Sequence, residues 1–377
     1  MNRRRARRPR TALAALTGAL LLAACTGGAP AAGPAAPSAA PRPTAPAGAP
    51  TAPGTVLVAD FGADTVTFVD PVRGPLAAVT VGRAPYGLAV GADGRAWVAT
   101  AEGVAVVDTR TRVRTALVRY RTDTGPVRDG EYRGGGMGIA LSPDGARAYV
   151  GVNVPGGNGV LEVIDTARAV VTATVPVGRR PFDVDVAPDG SEVYVTGHDS
   201  FDITAVTAAG AGPLRPRRIE VAPYGTEGGL GSWLKPHYAA VRPADGMLLL
   251  PFEGERLAVV DPRTGRTTVE RMTADTHQHG AALTPDGRLL VVGTGAVDPS
   301  DGEGPSLTVR APDGTERVIP LEGPHEDVAV SRDGSTAYVT GGFTRDGYWN
   351  GITVVDLAAG TTRRLAAGDR PLGVAVL

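Results

Sequence analysis

Six stretches of this chain share one pattern, and no other feature narrows its fold as far. They are PYGLAVGADGRAWVAT from Pro85, GMGIALSPDGARAYVG from Gly136, PFDVDVAPDGSEVYVTG from Pro181, PHYAAVRPADGMLLLP from Pro236, QHGAALTPDGRLLVVG from Gln278 and HEDVAVSRDGSTAYVTG from His325. Each reads as a short apolar strand, an Asp-Gly turn and a second strand that alternates toward Tyr or Val. Asp-Gly suits the positive φ that tight hairpin turns require, so it marks where the chain reverses. A third strand follows (VAVVDT, LEVIDT, LAVVDP, ITVVDL), then a fourth such as VVTATVPVG. Four antiparallel strands recurring roughly every 50 residues make one blade of a β-propeller.

The two ends of the repeat region complement each other. PLGVAVL from Pro371 is a first strand that stops before its turn, while TVLVADFGADTVTFVDPVRGPLAAVTVG from Thr55 supplies three strands with no first one. Joined, they complete a blade and leave no open sheet edge. The expectation is an all-β, seven-bladed β-propeller over residues 54–377, closed by one C-terminal and three N-terminal strands. YVTG at 194–197 and 338–341, with PDG or RDG before it and ITVVD or LEVID nearby, resembles the YVTN-repeat β-propellers. These include surface-layer-type and lactonase-like extracytoplasmic proteins of bacteria. The resemblance covers about residues 55–377 and implies the fold. The repeat motif is structural, so it carries over no catalytic residue.

The segment before the repeats reads as an address. Six arginines within residues 1–10 precede the apolar run TALAALTGALLLAA, which is short for a membrane-spanning helix. It ends in Leu22-Ala23-Ala24-Cys25, which resembles the lipobox of bacterial lipoproteins, and Cys25 is the chain's one cysteine. We expect residues 1–24 to be a lipoprotein signal peptide and Cys25 to carry the lipid. The product is then membrane-anchored and extracytoplasmic. Residues 25–53, rich in Pro, Ala and Gly, have little to bury and read as a disordered tether, up to ~90 Å long when extended. Loss of 1–24 removes six arginines and no acids, taking the formal charge from −1 to −7. No basic patch points to nucleic acid.

Long insertions gather on the blade end opposite the Asp-Gly turns, in stretches 119–135, 153–159, 210–235, 293–305 and 341–351. Binding sites usually lie on such loops. All five histidines fall on that side. Aligning the blades puts Tyr86, Met137, Phe182, His237, His279, Glu326 and Leu372 at one ring position, with Gly87, Gly138, Asp183, Tyr238, Gly280, Asp327 and Gly373 at the next. Asp183, His237, Tyr238, His279, Glu326 and Asp327 are therefore candidate ligand-binding residues around a channel mouth, joined by Trp349 as a loop aromatic. His237, His277, His279 and His325 are candidate metal ligands. Neutral imidazole with carboxylate suits zinc or copper.

Three functions fit this arrangement. One is binding of a ligand, metal or partner protein at the mouth. Another is a lactonase-like hydrolase using the same groups for acid–base work. The third is a structural cell-surface adaptor. In a bland reading, the polar residues simply line a solvated funnel. Asp298, Asp301 and Glu303 suit calcium only loosely, since EF-hand spacing is missing. Arg215, Arg217 and Arg218 suit either an anion or neighbouring acids, and GGGMG at 134–138 lacks the helix that a phosphate loop needs.

Overall fold

The computed structural model describes residues 51–208, 213–221, 235–296, 300, 302–342 and 347–377, all within one compact unit, Pro43–Leu377. The expected signal peptide, Cys25 and the tether up to residue 50 lie outside the described residues. So do 222–234 of the longest insertion, and Asp298 and Asp301. All regular structure among the described residues is strand, and none of them forms a helix long and apolar enough to cross a membrane.

The first sheet joins the ends of the domain. β1 (Val56–Asp60), β2 (Thr65–Asp70) and β3 (Gly74–Thr80) pair with the last strand, β27 (Pro371–Val376), in the order β27-β1-β2-β3. Three sheets then follow in simple order. They are β4 to β7 (Leu88–Val90, Arg95–Ala99, Val104–Asp108, Val113–Val118), β8 to β11 (Gly135–Leu141, Arg147–Asn153, Val160–Asp165, Val170–Pro176) and β12 to β15 (Pro181–Val186, Glu192–Gly197, Asp202–Thr207, Arg215–Glu220). β16 to β22 form a seven-stranded sheet (Ala240–Val241, Leu248–Phe252, Gly254–Asp261, Arg266–Leu283, Leu289–Ala296, Ser306–Arg310, Glu316–Pro320). The ring ends with β23 to β26 (Val328–Val330, Thr336–Thr340, Gly351–Asp356, Thr362–Ala366).

The seven-stranded sheet is two four-stranded units that share β19. The first half of this 18-residue strand pairs with β18 and the second half with β20. The inner strands touch in the circular order β4, β8, β12, β16, β19, β23, β27 and back to β4. This is a β-propeller, and its ring closes through the β27–β1 pairing expected from the complementary ends. Apolar faces of neighbouring units pack together: Leu57, Ala59 and Phe68 of the first lie against Leu88, Val98 and Val107 of the second.

The Asp-Gly turns differ in detail from the expected tight hairpin. Gly94, Gly145, Gly190, Gly246, Gly287 and Gly334 all have φ between +67° and +85°, while the aspartate before each does not enter the left-handed region. Only glycine is needed for its backbone. The aspartate acts through its side chain, as where Asp93 Oδ1 accepts from Arg95 N at 3.0 Å and Asp189 Oδ1 from Ser191 N at 2.9 Å.

Around the channel, glycine lets inner strands approach. Gly87 N donates to Met137 O at 3.1 Å, Gly280 N to Glu326 O at 2.8 Å and Gly373 N to Tyr86 O at 3.1 Å. A Cβ on Gly280 would sit 2.7 Å from Asp327 Cα. Where this ring position carries aspartate, the carboxylate makes the bridge instead. Asp183 Oδ2 accepts from Ala239 N, just before β16, at 2.9 Å and Asp327 Oδ2 from Val374 N of β27 at 3.2 Å.

Candidate metal centre in the channel

The first aligned ring does not form an open mouth. Tyr86, Met137, Phe182, His237, His279, Glu326 and Leu372 are none of them more than 4 % exposed. The expected solvated funnel is therefore filled at this level by side chains. One half is apolar, with Leu372, Tyr86, Met137 and Phe182 packed together with Phe61 and Tyr238. The other half holds His237, His279 and Glu326.

His277 and His279 reach this ring because THQHGAAL is strand throughout, rather than a loop entering a strand. Residues i and i+2 of a strand share a face. The intervening Gln278 makes its own contact, donating from Nε2 to Gly254 O at 2.6 Å. His277 Nε2 and His279 Nε2 stand 3.2 Å apart. His237 stacks on His279, with centroids 4.1 Å apart and planes at 21°, and lies 5.2 Å from the His277 ring. One ligand atom from each of His237, His277 and His279 lies within 4.8 Å of the others, and all three side chains are buried.

A fourth imidazole and a further carboxylate complete the cluster. His198 Nε2 is 3.2 Å from His237 Nε2, and Glu253 Oε1 is 2.7 Å from His277 Nε2. Sequence reasoning placed neither in the site. Both occupy the same place in neighbouring units, the residue just after the second strand, aligned with Phe61, Ala101, Asn153, Thr294 and Gly342 in the others. Aligning the ends of second strands as well as first strands would have exposed them.

Burial keeps His198 and His237 neutral. Burial pushes His198 down to about 3 and His237 well below the ordinary histidine value, the latter reinforced by the neighbouring imidazoles. Three of the four histidines touch a carboxylate: His198 Nδ1 to Asp199 Oδ1 at 2.7 Å, His277 to Glu253, and His279 Nδ1 to Glu326 Oε1 at 3.1 Å. Asp199 and Glu326 each meet the nitrogen opposite the one that faces a neighbouring imidazole, the arrangement that orients metal-ligating histidines and raises their basicity, whereas Glu253 meets the same His277 Nε2 that faces His279. The spacing also fits. Two nitrogens about 2.0–2.1 Å from a tetrahedral zinc are ~3.3 Å apart, close to the 3.2 Å between His277 and His279.

The remaining candidates lie elsewhere or do other work. His325 is not among the three converging histidines: its Nδ1 donates to Gly323 O at 2.8 Å and its Nε2 accepts from Thr353 Oγ1 at 2.8 Å. Both nitrogens are thus used within its own unit. Trp349 folds back there too, 5.8 Å from the His325 ring and under the Arg364 guanidinium at 3.9 Å. Tyr238 packs edge-on against Phe182 at 5.3 Å. Asp183 and Asp327 latch inner strands as described above, and burial raises them to about 6 and about 8. Arg217 and Arg218 pair with Glu192 and Asp202, and Glu303 accepts from Asp275 N. Gly135 and Gly136 lie on strand β8, packed against Ala101 and Tyr120.

No protein-family model matches the sequence, and no curated protein matches it either. Solved structures do. A periplasmic gluconolactonase from Pseudomonas aeruginosa superposes with a TM-score of 0.63 at 17% identity, over 86% of this chain and 99% of that one. A putative 6-phosphogluconolactonase from Bacteroides fragilis gives 0.61 at 16% identity, over 86% and 98%. A virginiamycin B lyase from Staphylococcus aureus, solved with quinupristin, gives 0.55 at 14% identity, over 83% and 91%. What this chain shares with these proteins is the β-propeller fold.

Proposed function

We propose that this protein binds a divalent transition-metal cation, zinc or copper, in its propeller channel, with His237, His277 and His279 as ligands. The observation that carries the reading is the convergence of three buried imidazoles within 4.8 Å, with Glu326 behind His279. Neutral nitrogen donors favour such metals over calcium or magnesium, which prefer oxygen. The lipobox-like segment supports an extracytoplasmic protein held to the membrane through a lipid on Cys25, with the metal site carried by the tethered domain. The test is elemental analysis and zinc titration of protein purified without a histidine tag. One equivalent is expected in the wild type, with binding lost in His237→Ala and His279→Ala. Absence of near-stoichiometric metal after reconstitution would refute the proposal.

A lactonase-like hydrolysis at the same centre is the second reading, and the names of the fold neighbours favour it. It requires turnover of gluconolactone by the wild type that falls at least tenfold in Glu326→Gln. An unchanged rate in that variant removes it.

A further inference from the structure

The protons of the His198–His237 pair can be assigned by chemistry. A carboxylate only accepts, so His198 Nδ1, 2.7 Å from Asp199 Oδ1, carries a hydrogen. Asp199 is also held by Lys235 Nζ at 2.9 Å, with Arg180 Nη1 at 3.9 Å. Burial alone would raise its pKa, but these partners and His198 outweigh that and keep it ionised. A second proton on His198 would set an imidazolium 3.4 Å from the Arg180 guanidinium in a buried site. His198 Nε2 is therefore a lone pair, and it faces His237 Nε2 at 3.2 Å. Two facing lone pairs repel, so His237 Nε2 carries the hydrogen and donates it.

That order leaves His237 Nδ1 as a bare nitrogen, buried and without a hydrogen-bond partner among the described residues. A buried polar atom left this way is costly, and a native site that keeps one has a use for it. We infer that Asp199 and His198 form a relay that locks His237 in its Nε2–H tautomer and so makes Nδ1 the atom with which His237 takes the metal. Both are positioning residues that act through His237, and the inference rests on the metal reading above. The outer end of the relay is accessible, because Asp199 lines a surface groove of about 680 Å³ together with Ser200, Asp202 and Arg218. The metal centre is thus tied by two hydrogen bonds to a residue that solvent can reach.

Two measurements on the whole domain test this. Long-range ¹H–¹⁵N correlation NMR of the metal-free protein, labelled at histidine, reads each tautomer directly. The relay predicts Nδ1–H for His198 and Nε2–H for His237, with the His237 Nδ1 signal moving on zinc addition. Zinc titration of Asp199→Asn and His198→Phe should show affinity reduced about 10–100-fold, with one equivalent still bound. A merely structural role for these residues would lower thermal stability and leave the His237 tautomer alone. Nδ1–H on His237, or unchanged zinc affinity in both variants, overturns the relay. If the tautomers are as expected but wild-type protein takes no zinc, the metal reading fails together with the ligand assignment, while the hydrogen-bond order stands.

Discussion

Asp185 is out of place in the channel, and replacing it should change the stability of the fold in a pH-dependent way. It lies on the inner strand β12, where the six other units carry Ala89, Ala140, Ala240, Ala282, Ala329 and Ala375. Burial, then the charge of Asp183 beside it, pushes its carboxyl well above the ordinary value, and one oxygen, Oδ2, has no hydrogen-bond partner among the described residues. A folded-state pKa above the unfolded one favours folding fully at low pH, and that stability is lost as pH rises through the folded value. Above the unfolded value the folded chain must ionise a buried carboxyl or hold a proton that the unfolded chain has released, so the penalty grows with pH. Asp185→Ala removes that penalty but also the hydrogen bond to Asp183, worth about 1.5–3 kcal/mol. Near pH 4 the lost hydrogen bond dominates, and the balance moves in favour of the variant as pH rises. At ~2 °C per kcal/mol for a domain of this size, Tm of the variant should lie about 3–6 °C below wild type at pH 4 and gain on it steadily up to pH 7. Differential scanning calorimetry at pH 4, 5.5 and 7 measures this. A Tm difference that is flat with pH, or more negative at pH 7, would refute the reasoning.

Other substitutions separate structure from site. Gly280→Ala puts a Cβ 2.7 Å from Asp327 Cα and 2.8 Å from Glu326 O, both backbone, and should destabilise by about 1–3 kcal/mol in chemical denaturation. His325→Ala removes two buried hydrogen bonds and should lower stability by ~2–4 kcal/mol while zinc affinity by calorimetry stays within twofold. Glu162 is fully buried and accepts from Arg121 N, Thr122 N and Thr122 Oγ1. Glu162→Ala should therefore speed proteolysis within the 119–135 insertion, read by mass spectrometry. On the proposed lipid anchor, Cys25→Ser should shift the protein from the membrane to the soluble extracytoplasmic fraction, read by cell fractionation.

The repeat made the fold legible because blade periodicity, Asp-Gly turns and complementary ends are local patterns that recur. The ring alignment named His237, His279 and Glu326 together for the same reason. Burial was not legible. Whether a ring position meets water depends on how far opposite inner strands stand apart, and Phe182, Tyr86 and Met137 fill the channel that sequence left open. The strand at THQHG was hidden because the link from the last strand of one unit to the first of the next usually breaks pairing, whereas β19 passes from one unit to the next without a break. His325 stands one residue before Glu326, where the neighbouring units carry Gln278 and Pro236, and Gly323 and Thr353 use both of its nitrogens. Asp183 and Asp327 have ligand chemistry but spend it on neighbouring backbone N–H groups, a role that needs three-dimensional strand spacing to recognise.

The central claim is a metal in the channel, and anomalous diffraction from zinc-soaked crystals of the tag-free protein tests it most directly. Data on both sides of the zinc absorption edge should place one peak in contact with nitrogens of His237, His277 and His279, at about 2.0–2.1 Å from each. A channel without anomalous density, alongside a zinc titration that shows no stoichiometric binding, would contradict the account.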